Sequence, residues 1–168
     1  VRTKEAMMEM GFLGPLLGFL LALLALALGL LQPVGAGVSL PMLPALLLLI
    51  TRNPSIQLNP LLFSGSVMLM VTALNLLPAG QLDGGHIFRG ITSAKGHYRL
   101  TRLLGFSLLF TGFIFAYWWA WGLLILLLFN QPHPGALDDL SEVSRKYQKI
   151  AMLSILILLL CLPIPTRL

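Results

Sequence analysis

The chain has 168 residues, 57% of them hydrophobic and only 10% charged, with a net charge of +5 and a mean hydropathy of +0.89. Soluble domains run at about 45–50% apolar and about 25% charged, so this composition excludes an ordinary water-soluble fold and points to a bilayer. The eleven Lys and Arg sit in short segments beside apolar runs, where they set topology and do not form a nucleic-acid surface.

Four apolar runs are predicted to cross a membrane, for which a helix needs roughly 20 residues. The first covers 11–31 and carries Gly14-Pro15, with no small-residue cleavage site after it, so it is not expected to be a cleaved signal. The second begins near Pro60 and ends around Pro78. The third covers 103–129 and includes Tyr117-Trp118-Trp119-Ala120-Trp121, aromatic residues of the kind that gather at membrane boundaries or in helix packing. The fourth covers 150–162, is stopped by Pro163 and Pro165, and contains the lone cysteine, Cys161, which excludes an intrachain disulfide and reads as a small apolar filler. Between the first two runs, 40–50 is apolar but too short for a straight crossing. With Pro41 and Pro44 at its start, it is predicted to be re-entrant or interfacial. Residues 51–59, with Arg52, Asn53-Pro54 and Asn59-Pro60, read as a polar loop. The expected fold is an all-α polytopic transmembrane bundle in one membrane domain, 1–168.

Four crossings put both termini on one side. Arg2, Lys4, Arg89, Lys95, Arg99, Arg102 and Arg167 then share a face, and Arg52, Arg145, Lys146 and Lys149 share the other. The excess of Lys and Arg in cytoplasmic loops places the first face, and both termini, in the cytoplasm.

The chemistry concentrates where the second run ends, in NLLPAGQLDGGH, Asn75 to His86. Pro78 lacks an N–H and breaks a helix, freeing nearby carbonyls. Gly80, Gly84 and Gly85 permit tight turns and close backbone approach. Asp83 sits beside irregular backbone at the edge of an apolar environment, where a bare carboxylate is costly unless a cation, a metal or several donors face it. These residues equally describe a helix-to-loop exit in which Asp83 caps the next turn and His86 faces water. His97, among Lys95, Arg99 and Arg102, reads as part of a charged boundary loop. His133, between two prolines, reads as a loop residue. Asp138, Asp139 and Glu142 read as the start of a surface helix whose polar face continues through Ser141, Arg145 and Lys146. A zinc site built from Asp83, His86 and another histidine has no support in the spacing.

The same string resembles the Asp-Gly signature of the site-2 protease family of intramembrane zinc metalloproteases, through Asn75, Leu76, Pro78, Gly80, Leu82, Asp83, Gly84 and Gly85. Gly14-Pro15-Leu16 with Gly18 resembles the family's Gly-Pro core helix (11–31). Asn59-Pro60 leading through Val71-Thr72-Ala73-Leu74 resembles the approach to the signature helix (60–86), particularly in the branch with chloroplast members. His133-Pro134, Asp138-Asp139 and the Pro163–Pro165 ending are similar as well.

The resemblance implies one Zn2+, with Asp83 as a ligand and the other ligands on an HExxH helix, where two histidines at i and i+4 share a face. It implies a water nucleophile activated by the metal and by the motif's glutamate. Asn75 would contact a substrate carbonyl or strand. Pro78, Gly80, Gly84 and Gly85 would let an unwound substrate approach, and His86 would touch the surroundings of the site. The partners implied are the lipid bilayer and transmembrane protein substrates, in regulated intramembrane proteolysis.

His86, His97 and His133 are the chain's only histidines, and none stands in an HExxH. The remaining ligands are therefore expected upstream, in a longer polypeptide of which this is a piece, and the 168 residues alone are not expected to hydrolyse peptides. Two other classes compete. A non-catalytic relative that binds or helps assemble membrane proteins would tolerate Asp83→Asn. A small transporter, which would need a second broken helix that the sequence does not display, would carry substrate across liposomes.

Overall fold

The structure, a computed structural model, describes residues 3–32, 37–40, 42–53, 55–128, 133–138 and 142–165. The sequence readings of Arg2, Pro41, Pro54, Asp139, Ser141 and Arg167 fall outside them. The described residues form seven helices and one two-stranded sheet: α1 (Lys4–Leu30), β1 (Met42–Pro44), α2 (Ala45–Thr51), α3 (Pro60–Leu76), α4 (Asp83–Ile91), α5 (Ala94–Gly112), α6 (Tyr117–Leu128), α7 (Arg145–Cys161) and β2 (Pro163–Pro165). The protein is thus helical, as expected. Among the described residues α1 is the one helix long and apolar enough to cross a membrane, while α3 and the 118–127 part of α6 are apolar but shorter.

Two compact units divide the chain: Val1–Gly14 with Leu76–Ser154, and Pro15–Asn75 with Ile155–Leu168. In the second unit, Asn59 starts α3. Its Oδ1 accepts from the Leu62 N–H at 2.9 Å, with Pro60 in the first helical position, where its missing N–H costs nothing. The Asn59 amide also donates to the Gly29 carbonyl at 2.7 Å, tying α3 to the end of α1. Small residues let the two backbones approach closely: a Cβ on Gly29 would lie 2.8 Å from the Leu62 nitrogen. The segment 40–50 does not run as one element. It pairs antiparallel through β1 with β2, Leu43 opposite Ile164, and then forms the seven-residue α2.

In the first unit, the run predicted as one crossing at 103–129 is two helices. α5 ends at Gly112, the turn 113–116 is closed by bonds such as Phe115 N–H to the Thr111 carbonyl at 2.9 Å, and α6 packs back on α5. Gly105 and Gly122 allow the close approach, since a Cβ on Gly105 would meet Leu126 at 2.6 Å and one on Gly122 would meet the Leu109 nitrogen at 2.8 Å. A 27-residue run exceeds what one crossing needs, and the apolar turn leaves no dip in hydropathy to mark it.

Two further expectations are corrected here. Residues 142–144 are irregular and the helix starts only at Arg145, so the acidic stretch does not open it; Asp138 instead lies in a backbone bridge with Thr3. The head of α7 also joins the head of α1. The Tyr147 hydroxyl donates to Glu9 Oε1 at 2.5 Å, Lys146 Nζ lies 3.5 Å from the same oxygen, and the Ser144 N–H donates to Glu5. The bond to Glu9 pushes the Tyr147 phenol up to about 12 and holds the Glu9 carboxyl below its ordinary value. Basic residues 145–149 therefore sit beside the Lys4 end of α1, not on an opposite face from it.

Candidate metal-ligand site

Asp83 is the first residue of α4, half-buried, with Leu82 in the capping position and no side-chain cap. Asp83 is thus not itself the cap; it stands in the first turn, where the exposed N–H groups and the helix dipole favour a carboxylate. The helix break at Pro78 is observed: α3 ends at Leu76, and Gly80 takes a left-handed conformation at φ +49°, which favours glycine. The Gly80 N–H donates to the Thr101 hydroxyl at 3.1 Å, anchoring the bend on α5.

Gly84 and Gly85 lie inside α4, not in turns. Their lack of a side chain lets the head of α4 fold back on the chain that precedes it. A Cβ on Gly84 would strike the Leu76 carbonyl and come within 2.6 Å of the Leu77 oxygen; one on Gly85 would strike the Gly80 carbonyl and approach the Ala79 oxygen to 2.8 Å. The glycine pair therefore fixes where Asp83 stands. On the α1 side, a Cβ on Gly14 would sit 3.6 Å from Asp83 Oδ2 and one on Gly11 would meet His86 Cβ at 2.9 Å, so small residues leave the carboxylate room.

His86 stands one turn after Asp83, half-buried, its Nδ1–H donating to the Leu82 carbonyl at 2.9 Å. Asn75 is half-buried near the end of α3, in the second unit. His97 is not in a charged loop: it lies in the first turn of α5 and is 1% exposed. His133 is also buried, and its ring stands 4.7 Å from that of His86 and 5.6 Å from that of His97. This convergence was not legible from spacing; the one local signal is Gly135, whose φ of +75° turns the segment after His133.

Zinc can be tested against these residues. A catalytic zinc site takes three protein ligands, and among the described residues no three His, Cys, Asp or Glu side chains are placed to hold an ion. Asp83 fits a single ligand position, half-buried, with Gly14 rather than a larger side chain facing its Oδ2. The chain by itself does not fit a complete zinc centre.

No family model matches the chain, and no solved structure does. Curated proteins do. The chain is 31% identical over 98% of its length to the protein named "Probable zinc metalloprotease EGY2, chloroplastic" from Oryza sativa subsp. indica, and equally to that of Arabidopsis thaliana. It is 28% identical over 95% of its length to "Probable zinc metalloprotease EGY1, chloroplastic" from Oryza sativa subsp. japonica. The chain spans about one third of the length of these relatives, 33% and 31%. Near-complete coverage of this chain at that identity, together with the Asn75–Gly85 signature, places it in the site-2 protease family.

Proposed function

We propose that this chain forms the Asp-Gly portion of an intramembrane zinc metalloendopeptidase that cleaves transmembrane segments, with Asp83 as one zinc ligand and the others supplied from outside these 168 residues. The observation that carries the reading is the placement of Asp83: a half-buried carboxylate in the first turn of a helix whose Gly84-Gly85 pair seats it against the α3–α4 bend. A carboxylate in apolar surroundings persists where a cation balances it. Zinc bound there supplies a Lewis acid and a water acidified to a pKa of about 7. The chain's own contribution is to hold Asp83 Oδ2 next to the side-chain-free Gly14 and, at the Pro78–Gly80 bend, to offer irregular backbone to an unwound substrate. Asn75 is proposed to contact the substrate's carbonyl or strand.

The outward Leu13, Leu17, Leu20, Leu24 and Leu28 of α1 support a lipid-facing surface, because soluble monomers rarely expose so large an apolar patch. In this reading 11–31, 60–78 and 150–162 cross the bilayer, and 103–129 enters and returns as the α5–α6 hairpin. Lys4, Arg89, Lys95, Arg99, Arg102, Arg145, Lys146 and Lys149 then all lie on the cytoplasmic face, a stronger basic bias than four crossings give.

The test is cleavage of a single-span substrate by the full-length polypeptide in proteoliposomes. Wild type is expected to cut and Asp83→Asn to lose about 100-fold or more, as when a metal ligand is removed. Equal retention of uncut substrate by wild type and variant, with cleavage by neither, would replace catalysis with the binding-and-assembly role.

A further inference from the structure

The chain's three histidines come from separate places, α4, the first turn of α5 and the segment 133–136, and meet in one cluster. His97 is 1% exposed and His133 7%. Arg89 is buried beside them: a Cβ on Gly135 would lie 2.7 Å from its Nη2. Hydrogen bonds fix how the neutral rings carry their protons. The Gly135 N–H donates to His133 Nδ1 at 3.0 Å, so a neutral His133 holds its proton on Nε2. That Nε2 and the Nε2 of His97 are buried without a partner among the described residues.

A metal does not explain the cluster. The one lone pair of a neutral His133 is taken by Gly135, and no three potential ligands among the described residues could hold an ion. What the burial of His97 and His133 does is make these two rings resist charge. Burial first, then His86, His97 and Arg89, hold His133 down to about 4; burial first, then Arg89 and His86, lower His97. The other charged groups of the packed elements are Asp83 on α4, Lys95, Arg99 and Arg102 on α5, Lys4, Glu5 and Glu9 at the head of α1, and Asp138 on the segment itself.

We propose that the cluster is a proton-operated latch: neutral His97 and His133 keep the segment 133–136 docked on α4 and α5, and proton uptake by these two rings releases it. A released segment takes up protons near the ordinary histidine value of about 6.5, whereas the docked one does so only well below. The docked form therefore keeps its full advantage above about pH 6.5 and loses it progressively as pH falls from there towards about 4. The inference holds whether or not Asp83 binds zinc.

The experiment is hydrogen–deuterium exchange on the protein in lipid nanodiscs at about pH 7.5 and about pH 5, corrected for the intrinsic pH dependence of exchange. Protection of 133–138 is expected to fall by about tenfold or more at the lower pH while that of 120–127 in α6 stays constant. Equal changes in the two segments, or none in either, would overturn the latch. His133→Phe keeps a ring that cannot titrate and is expected to weaken the pH dependence to the share carried by His97; persistence of the full pH effect in that variant would also overturn it. Histidine-resolved NMR of the wild type gives a check that needs no variant: His97 and His133 titrating near 6.5 in the docked form would contradict it.

Discussion

The two units differ in how completely they satisfy their buried polar groups. In the second unit each one is satisfied close to home: Asn59 by Gly29 and Leu62, Ser66 by the Leu62 carbonyl at 2.7 Å, and Thr72 by the Met68 carbonyl at 2.8 Å. In the first unit Thr101 and Ser154 bond to the His97 and Ile150 carbonyls in the same way, but His97 and His133, as deeply buried, each leave an Nε2 without a partner among the described residues. An unpaired buried polar group costs about 1–3 kcal/mol, so the second unit is built for stability. The first holds a local cost in the region that also carries Asp83.

Substitutions can break this comparison. The largest effect is expected at Gly84→Ala, whose methyl has no room against the Leu76 carbonyl and must displace the head of α4. Overpacking of backbone on backbone is expected to cost about 3 kcal/mol, read as a lower unfolding midpoint in detergent. Wild-type stability in this variant would mean that Asp83 is not positioned by the glycine pair. Asn59→Ala strips the partners of Gly29 O and Leu62 N–H in the second unit and is expected to cost about 2 kcal/mol with no pH dependence. A loss there that varied between pH 5 and 7.5 would blur the distinction between the units. The smallest effect is expected at Ser93→Ala, which removes the α5 cap bond to the Gly96 N–H at 3.1 Å and should cost about 1 kcal/mol. It shows whether ordinary capping in the first unit behaves as it does elsewhere, leaving the histidine cluster as the exception.

The sequence was most legible where local chemistry decides the structure. Pro78 ends α3 two residues before it, Pro60 and Asn59 start that helix, and Pro163 stops α7. It misled where tertiary packing decides. The apolar turn Phe113–Ala116 reads like helix interior because hydropathy cannot register a reversal that stays apolar; the small residues Gly105, Gly112 and Gly122, each needed for close approach of α5 and α6, were the available sign. His97 looked solvated because Lys95 and Arg99 flank it, yet one face of that first turn is buried while its neighbours are exposed. Asp83 was legible as a candidate ligand from its signature. Its seat was not, because Gly84 and Gly85 act by packing inside a helix and not by turning the chain.

The central claim is that Asp83 holds zinc in the complete polypeptide, and metal stoichiometry tests it most directly. The full-length protein, purified from membranes without chelator, is expected to carry about one zinc per chain. Asp83→Asn is expected to lose most of it, while Glu142→Gln, on the exposed stretch before α7, keeps it. Zinc retained in full by a folded Asp83→Asn protein would contradict the account.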